Sequence, residues 1–224
     1  MIKYVVFDLD NTVYDYDYCH EKAMLRLSEY ACKTFQISVT QFEQAFHVAK
    51  QKVKKQLGNT GASHNRMLYM QLFLEEVGEN PVKTALDLYE VYWGTMLETM
   101  DLYPYVLPLM KALKERDIKI AVLTDLTAHI QHRKIKKLSL EEYIDVLVTS
   151  EEAGAEKPSV VAFEKLLKKC NVFPHEMLMI GDSLEKDVQG ALHVGMHGIL
   201  FEKEMSCSMD RRCMEYIDEQ LDKK

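Results

Sequence analysis

The chain has 224 residues, of which 47% are hydrophobic, and its formal net charge is −7 at pH 7. This length suits one large or two small domains, and the acidic balance argues against a binder of nucleic acid polymers, which needs a basic face. No apolar run reaches the roughly 18 residues of a membrane span, no secretory signal is recognisable, and five scattered cysteines fit reduced thiols. We therefore expect a cytoplasmic protein with no membrane partner; the sequence carries no dependable signal of its oligomeric state.

A buried strand is predicted first, over residues 2–7, and only helices follow it as far as residue 100. Four amphipathic helices are predicted in this stretch: 21–35, 40–57, 66–77 and one that begins at Asn80-Pro81. Thr40 is the predicted N-cap of the second helix because Glu43 follows three residues later, as in a capping box. The Gly-Asn-Thr-Gly run at 58–61 predicts a turn.

From residue 106 onward, predicted helices alternate with short apolar runs. The helices are 107–116, 128–138, 160–170 and 185–193, and the strands are 118–123, 144–148, 177–180 and 198–201. This alternation is typical of an α/β fold with a parallel sheet that is covered by helices on both faces. Because the first strand belongs to that sheet, we expect a core of residues 1–15 and 101–204, an inserted all-helical domain of residues 16–100, and a C-terminal helix over 205–224.

Polar side chains follow four of the predicted strands. They are Asp8 and Asp10 after the first, Thr124 and Asp125 after the second, Lys157 beyond the third, and Asp182 and Asp187 after the fourth. Ligands of open parallel sheets bind beyond the carboxyl ends of the strands, so these side chains are expected to converge. Carboxylates that face one another repel, and Mg²⁺, which prefers oxygen ligands, would relieve that repulsion.

The lysine and the threonine have no obvious metal role, but they suit the oxygens of a phosphoryl group. One carboxylate could attack phosphorus and form an aspartyl-phosphate. A second carboxylate, two residues further along an extended chain, lies on the same side and could move protons. The residues alone therefore favour metal-assisted phosphoryl transfer on a small phosphorylated metabolite.

The same residues resemble the four ordered motifs of the haloacid dehalogenase-like hydrolase superfamily. The motifs are Asp8-Leu9-Asp10-Asn11-Thr12, Thr124, Lys157, and Gly181-Asp182-Ser183 with Asp187, and the match spans residues 4 to about 201. The resemblance implies a Rossmann-like core with a mobile cap inserted behind the first motif. The helices of residues 16–100 match the α-helical cap of subfamily I, the phosphoglycolate phosphatase-like proteins.

The resemblance also implies a role for each acidic residue. Asp8 would be the nucleophile, and Asp10 would protonate the leaving alcohol and then activate water. The Asp8 carboxylate, the Asp10 backbone carbonyl and Asp182 would hold Mg²⁺. Asp187 would support these ligands without contacting the metal, or would contact it through water. The presence of Asp10 also argues for a phosphatase over a dehalogenase. Dehalogenases use the first aspartate as nucleophile without a metal, and their first motif resembles a version of this one that lacks the second aspartate.

Phosphoryl oxygens would be bound by Thr124 and Lys157, helped by the backbone N–H groups of Asn11 to Val13 and of Asp125. A finer resemblance around Thr124 is to a pyrimidine 5′-nucleotidase-like branch, in which Asn-Gly usually stands in place of Asp125-Leu126. Lys186 stands where that branch commonly has Asn, and it either faces solvent or pairs with a carboxylate.

Candidate substrate contacts are Tyr14, Tyr16 and His20, which follow the nucleophile closely. Arg66 could grip an anionic substrate, although an arginine at a helix start is more often exposed. Lysines 50, 52, 54 and 55 predict a solvated helix face rather than the catalytic cap lysine of phosphonatase-type enzymes.

The predicted function is a Mg²⁺-dependent phosphatase that hydrolyses a small phosphomonoester through an aspartyl-phosphate. A nucleoside monophosphate is the favoured substrate, ahead of phosphoglycolate or a sugar phosphate. The alternatives are a phosphomutase of the same fold and a non-catalytic protein that binds a phosphate ligand.

Overall fold

The computed structural model describes residues 1–58 and 60–222. The predicted turn at 58–61 and the last residues of the predicted C-terminal helix therefore fall partly outside the described residues. The chain divides into two compact units: Met1–Asp15 with Asp101–Lys224, and Tyr16–Met100. Within the described part of the chain, no helix combines the length and the apolar character needed to cross a membrane.

The predicted helices and strands occur in the predicted order, and one short helix that was not predicted, Ser150–Ala153, lies among them. The helices are α1 (Tyr16–Phe35), α2 (Val39–Leu57), α3 (Arg66–Glu76), α4 (Pro81–Glu98), α5 (Val106–Glu115), α6 (Ala128–Lys137), α7 (Ser150–Ala153), α8 (Val160–Cys170), α9 (Gly190–His193) and α10 (Met209–Asp222). The strands are β1 (Tyr4–Phe7), β2 (Lys119–Thr124), β3 (Val146–Thr149), β4 (Met177–Gly181) and β5 (His197–Leu200).

The five strands form one parallel sheet in the order β3-β2-β1-β4-β5. The first strand of the chain is therefore central, with Phe7 paired to Val122 on one side and to Ile180 on the other. Successive side chains of a strand point to opposite faces, and all four residues of β1 are buried. Both faces of the sheet are thus covered, which confirms the predicted α/β class.

One face of the sheet packs against α8 and α9. Tyr4, Val6 and Met179 of the sheet share a buried apolar cluster with Phe163 and Leu166 of α8. Full burial of a side chain of this size contributes about 1.5–3 kcal/mol. This packing holds β1 and β4 side by side, so the residues that follow them leave the sheet at the same edge.

The predicted helix over 185–193 is only partly α-helical. Leu184–Gln189 forms a π-helical segment, and α9 covers only the four residues after it. Val188 N–H donates to the Ser183 carbonyl at 3.3 Å, five residues back, and the Asp187 carboxylate accepts from Ser183 N–H at 3.0 Å. The wider turn therefore directs Asp187 back toward β4, and such turns are frequent at functional sites.

The unit of residues 16–100 is built from helices, with no strand among its described residues, as predicted. The predicted N-cap of α2 is wrong: the cap is Ser38, whose hydroxyl accepts from Gln41 N–H while the Gln41 side chain accepts from Ser38 N–H. Ser38 and Thr40 both fit the capping-box pattern. The serine serves as the cap because Val39 already belongs to the helix.

Candidate active site

Asp8 is the first residue after the central strand, and its position is fixed by the sheet. Its N–H donates to the Ile180 carbonyl at 2.9 Å, and its side chain is buried with Oδ1 2.8 Å from Lys157 Nζ. Burial, followed by the charges of Asp187 and Asp10, raises the pKa of Asp8 to about 8 against the opposing effect of Lys157.

Three carboxylates meet beside this strand end. One oxygen each of Asp8, Asp182 and Asp187 lies within 4.8 Å of the others. Desolvation and the neighbouring Asp187 raise the pKa of Asp182 to about 6. Gly181 makes the close approach possible, because a Cβ at that position would lie 2.2 Å from Asp187 Cγ.

Lys157 neutralises only part of this negative charge. Its buried Nζ lies 2.8 Å from Asp8 Oδ1 and 2.6 Å from Asp187 Oδ1. Although burial opposes it, the charges of Asp8 and Asp187 raise the pKa of Lys157, so the side chain is an ammonium. One ammonium among three carboxylates leaves an excess of negative charge, and these oxygen donors fit a hard divalent cation.

Asp187 is fully buried and closely held. Its Oδ1 accepts from Lys157 Nζ and its Oδ2 from Ser183 N–H. Both of its oxygens therefore already have donors. Asp182, in contrast, stays open to solvent, and its own N–H donates to Thr12 Oγ1 at 3.1 Å.

Asp10 lies in a different environment from Asp8. Both of its carboxylate oxygens accept from Lys134 Nζ, at 2.6 and 2.8 Å, and Oδ1 also accepts from the Tyr14 hydroxyl at 2.7 Å. Lys134 is completely buried. Tyr14, a predicted substrate contact, is also fully buried, and its hydroxyl is directed at Asp10.

Lys134 is a residue of the candidate site that the sequence analysis missed. The signal was available in the helical periodicity, because Lys134 lies four residues after Ile130 and four before Leu138, on the apolar face of α6. A lysine on that face is buried together with the apolar residues around it, and a buried lysine requires a partner. Gln131, on the same face, is likewise fully buried.

Thr124 ends β2 and is held by Gln131. The Gln131 side-chain amide donates to Thr124 Oγ1 at 2.6 Å and to the Asp125 carbonyl at 2.7 Å. The Asp125 carboxylate accepts from Lys157 N–H and from Lys186 Nζ, both at 3.0 Å. Lys186 thus pairs with a carboxylate, and its positive charge compensates the negative charge that Asp125 adds at this turn. Both residues are departures from the pattern of the nucleotidase-like branch.

The predicted use of three successive backbone N–H groups for phosphate is wrong in part. Thr12 and Val13 N–H both donate to the Leu9 carbonyl, at 3.3 and 3.0 Å, so they are committed to the turn itself. Asn11 opens that turn in the left-handed region, with φ 58°.

Three predicted substrate residues belong to the helical unit, where they lie together. The expectation of an exposed Arg66 is wrong: the residue is 8% exposed, and its guanidinium donates to the Tyr16 hydroxyl at 2.7 Å and to the His64 carbonyl at 2.8 Å. His20 stacks on Tyr16 with ring centroids 5.5 Å apart. The rings of Tyr69 and Tyr92, with centroids 5.2 and 5.5 Å from the guanidinium, cover it, which explains its burial at a helix start.

Fold and site together define an enzyme that carries its aspartates at the carboxyl edge of a Rossmann-like sheet. The family described as haloacid dehalogenase-like hydrolase matches residues 2–195. The chain therefore belongs to the haloacid dehalogenase-like hydrolases, as its motifs predict.

The similar proteins that have names narrow the enzyme class within this family to phosphatases. The chain is 36% identical over 217 residues to a ribulose-1,5-bisphosphate 5-phosphatase of Halopiger xanaduensis, covering 94% of this chain and 91% of that protein. It is 30% identical to a glyceraldehyde 3-phosphate phosphatase of Methanopyrus kandleri, covering 88% and 82%. The predicted enzyme class, a phosphoric monoester hydrolase, is confirmed.

The fold has a solved counterpart. A 2-haloacid dehalogenase from Pseudomonas syringae pv. Tomato DC3000 superposes with a TM-score of 0.73 at 22% identity, covering 90% of this chain and 86% of that one. At this identity the likeness supports the fold alone.

Proposed function

We propose that the protein is a Mg²⁺-dependent phosphatase that hydrolyses a sugar phosphate through an aspartyl-phosphate. The observation that carries this proposal is the separation of Asp8 and Asp10 into two environments. Asp8 lies in the carboxylate cluster beside Lys157, and Asp10 lies against Lys134 and Tyr14. Two carboxylates in unlike environments can take different roles in one reaction.

In the first step Asp8 attacks phosphorus, the bond from phosphorus to the ester oxygen breaks, and Asp10 gives a proton to the departing alcohol. In the second step Asp10 takes a proton from water, the water oxygen attacks phosphorus, and the bond to Asp8 breaks. Inorganic phosphate leaves, and both aspartates return to their starting state.

Lys157 and Thr124 bind the phosphoryl oxygens, with backbone N–H groups of Asn11 and Asp125 as further donors. Asp8, Asp182 and the backbone carbonyl of Asp10 would hold Mg²⁺, which neutralises charge on the carboxylates and on the phosphoryl group. Asp187 supports this set by positioning Lys157, since its carboxylate lies 2.6 Å from the ammonium.

The names of the relatives favour a sugar phosphate over the nucleoside monophosphate that the sequence analysis preferred. One relative is named for ribulose-1,5-bisphosphate and another for glyceraldehyde 3-phosphate. Both compounds are small phosphorylated carbonyl sugars. Nucleoside monophosphates and phosphoglycolate belong in the same substrate panel as competing outcomes.

The test is phosphate release from that panel and from p-nitrophenyl phosphate, with Mg²⁺, by the wild type, Asp8→Asn and Asp87→Asn. Asp87 is an exposed aspartate on α4 and serves as the matched control. We expect Asp8→Asn to lose turnover by at least about 10⁴-fold, because the nucleophile is gone, and Asp87→Asn to match the wild type. Equal turnover by wild type and Asp8→Asn refutes the mechanism.

Two other results would redirect the assignment. Formation of an isomeric sugar phosphate in place of inorganic phosphate would indicate a phosphomutase. Binding of phosphate esters without any turnover would indicate a non-catalytic binding protein.

A further inference from the structure

The turn that follows β2, residues 124–126, has an unusual backbone. Leu126 lies in the left-handed region with φ 112°, and it is almost completely buried. Residues with a Cβ rarely adopt this conformation, whereas glycine adopts it without strain. The nucleotidase-like branch usually has glycine at this position. The leucine of this chain therefore needs neighbouring groups that hold the turn in shape.

Ser150 supplies such support from the neighbouring strand. Its hydroxyl accepts a hydrogen bond from Leu126 N–H at 2.9 Å and donates to the Leu126 carbonyl at 3.4 Å. Thr124 and Thr149 are paired in the sheet, so the residue that follows Thr149 lies beside the turn. Ser150 is only 2% exposed. Removal of its hydroxyl would therefore leave a buried N–H group without an acceptor, which is costly.

The short helix α7 also holds the far side of the turn. Directly after Ser150, the Glu151 carboxylate accepts from the N–H of Ala128, the first residue of α6, at 2.8 Å. Thr127, the N-cap of α6, makes no side-chain capping hydrogen bond. Glu151 therefore satisfies one of the N–H groups at the start of α6. Two successive residues of α7 thus fix the chain from the turn to the start of α6.

The group that this support positions is the Asp125 N–H. The Asp125 carbonyl accepts from Gln131 at 2.7 Å, and its carboxylate accepts from Lys157 N–H and from Lys186 Nζ, both at 3.0 Å. Its N–H, in contrast, has no acceptor among the residues that the structure describes. Because Leu126 follows directly, a change in its φ would displace the peptide groups of the turn, including this donor.

We propose that Ser150 is a positioning residue for the phosphoryl group. Its hydroxyl holds Leu126 in a conformation that favours glycine, and it thereby keeps the Asp125 N–H directed at the phosphoryl oxygens. The inference rests on the proposed function, in which this N–H is one of the phosphate donors. A donor that is displaced by about 1 Å loses much of its effect on the transition state. Ser150 acts through Leu126 and not by contact with the substrate.

The test measures the effect of Ser150→Ala on kcat/KM for p-nitrophenyl phosphate in the wild type, in Leu126→Ala and in Leu126→Gly. The last two both lack the leucine side chain, and they differ in the Cβ that makes φ 112° unfavourable. We expect Ser150→Ala to lower kcat/KM about 10- to 100-fold in the wild type and in Leu126→Ala. In Leu126→Gly the loss should be less than about threefold, because glycine adopts this φ unaided.

Ser139→Ala removes a hydroxyl from an exposed serine and is the control, which should match the wild type. All variants are assayed well below the lowest Tm of the set. A Ser150 that only stabilises the fold would give the same loss in all three backgrounds. That result, a larger loss in Leu126→Gly than in Leu126→Ala, or no loss in the wild type overturns the proposal.

If Ser150→Ala fails to fold, the comparison of Leu126→Gly with Leu126→Ala decides the outcome. Glycine ordinarily destabilises a protein relative to alanine, but the order reverses where φ is positive. We therefore expect Leu126→Gly to have the higher Tm, by about 2–6 °C, and the higher kcat/KM. An equal or lower value of either quantity in Leu126→Gly overturns the proposal.

Failure of the proposed function would look different, since the wild type would then release no phosphate from any ester. The same variants are then compared by Tm alone. A smaller drop in Tm on Ser150→Ala in Leu126→Gly than in Leu126→Ala supports the role of the hydroxyl in holding the turn. An equal or larger drop overturns that role as well.

Discussion

Replacement of Lys134 by methionine is the sharpest test of how Asp10 is held. Lys134 is completely buried, and its Nζ contacts both carboxylate oxygens of Asp10 at 2.6 and 2.8 Å. Methionine fills much of the same space without the charge. The variant therefore removes the contact with Lys134 and leaves the Tyr14 hydroxyl as the side-chain donor to Asp10 among the described residues.

The cost in stability follows from the geometry. A hydrogen bond to a charged group contributes about 1.5–3 kcal/mol. The Asp10 side chain is 27% exposed, so water replaces part of the lost interaction, and we expect a net loss of about 1–2 kcal/mol. For a chain of this size that lowers Tm by roughly 2–8 °C.

The effect on catalysis should be larger. Acid–base catalysis contributes about 10²- to 10⁴-fold, and a misplaced group loses up to about 10²-fold of it, so kcat should fall about 10- to 100-fold. With p-nitrophenyl phosphate the leaving group needs no proton. Attack by Asp8 should therefore persist while hydrolysis of the aspartyl-phosphate slows, and a burst of p-nitrophenol should precede a slow steady state.

Stopped-flow absorbance measures the burst, and Lys136→Met on the exposed side of α6 is the matched control. Lys134→Arg keeps the charge and should retain more activity than Lys134→Met. If Lys134→Met keeps the kcat and KM of Lys136→Met and shows no burst, Lys134 does not position Asp10 for proton transfer.

Two further predictions concern charge at the site. Mg²⁺ should raise Tm more at pH 8 than at pH 5, because the raised pKa values of Asp8, about 8, and Asp182, about 6, keep them protonated at low pH. Without metal, these raised pKa values stabilise the folded state at low pH, and that stabilisation is lost as the pH rises through the two pKa values. A rise of Tm with Mg²⁺ that does not depend on pH, or that is unchanged in Asp182→Asn, contradicts the prediction. Lys186→Asn should lower kcat/KM up to about fivefold, because the charge of Asp125 is then no longer compensated. Adding Asp125→Asn should restore kcat/KM. A double variant with the same kcat/KM as Lys186→Asn refutes the idea that Lys186 compensates the charge of Asp125.

The sheet and the ends of its strands were predictable from sequence because the central strands β1, β2 and β4 are short runs that are almost entirely buried. Such runs read as continuous apolar segments, and a parallel sheet brings their carboxyl ends to one edge. Asp8, Thr124 and Asp182 follow those runs directly. Their convergence therefore required only the correct fold class.

Residues that act from helices were harder to predict because their role depends on helical phase and on packing partners. Within α6, Lys134 is buried while Lys136 and Lys137 are exposed, although all three are lysines of one basic stretch. Arg66 is buried because Tyr69 and Tyr92 cover it, and these aromatic residues come from two helices. The local pattern around Arg66 contains Tyr69, three residues further along α3, but not Tyr92, which lies in α4.

The two aspartates of the first motif illustrate how one strand end can support two roles. They are separated by a single residue, yet each has its own buried lysine, from different elements of the fold. Lys157 reaches Asp8 within a cluster of carboxylates, whereas Lys134 reaches Asp10 away from that cluster. Lys157 opposes, but does not cancel, the burial and the neighbouring charges that raise the pKa of Asp8 to about 8, so ionisation of the nucleophile would also depend on the cation that the carboxylates would hold. Lys134 is therefore part of the proposed mechanism, because it holds Asp10 in position for proton transfer.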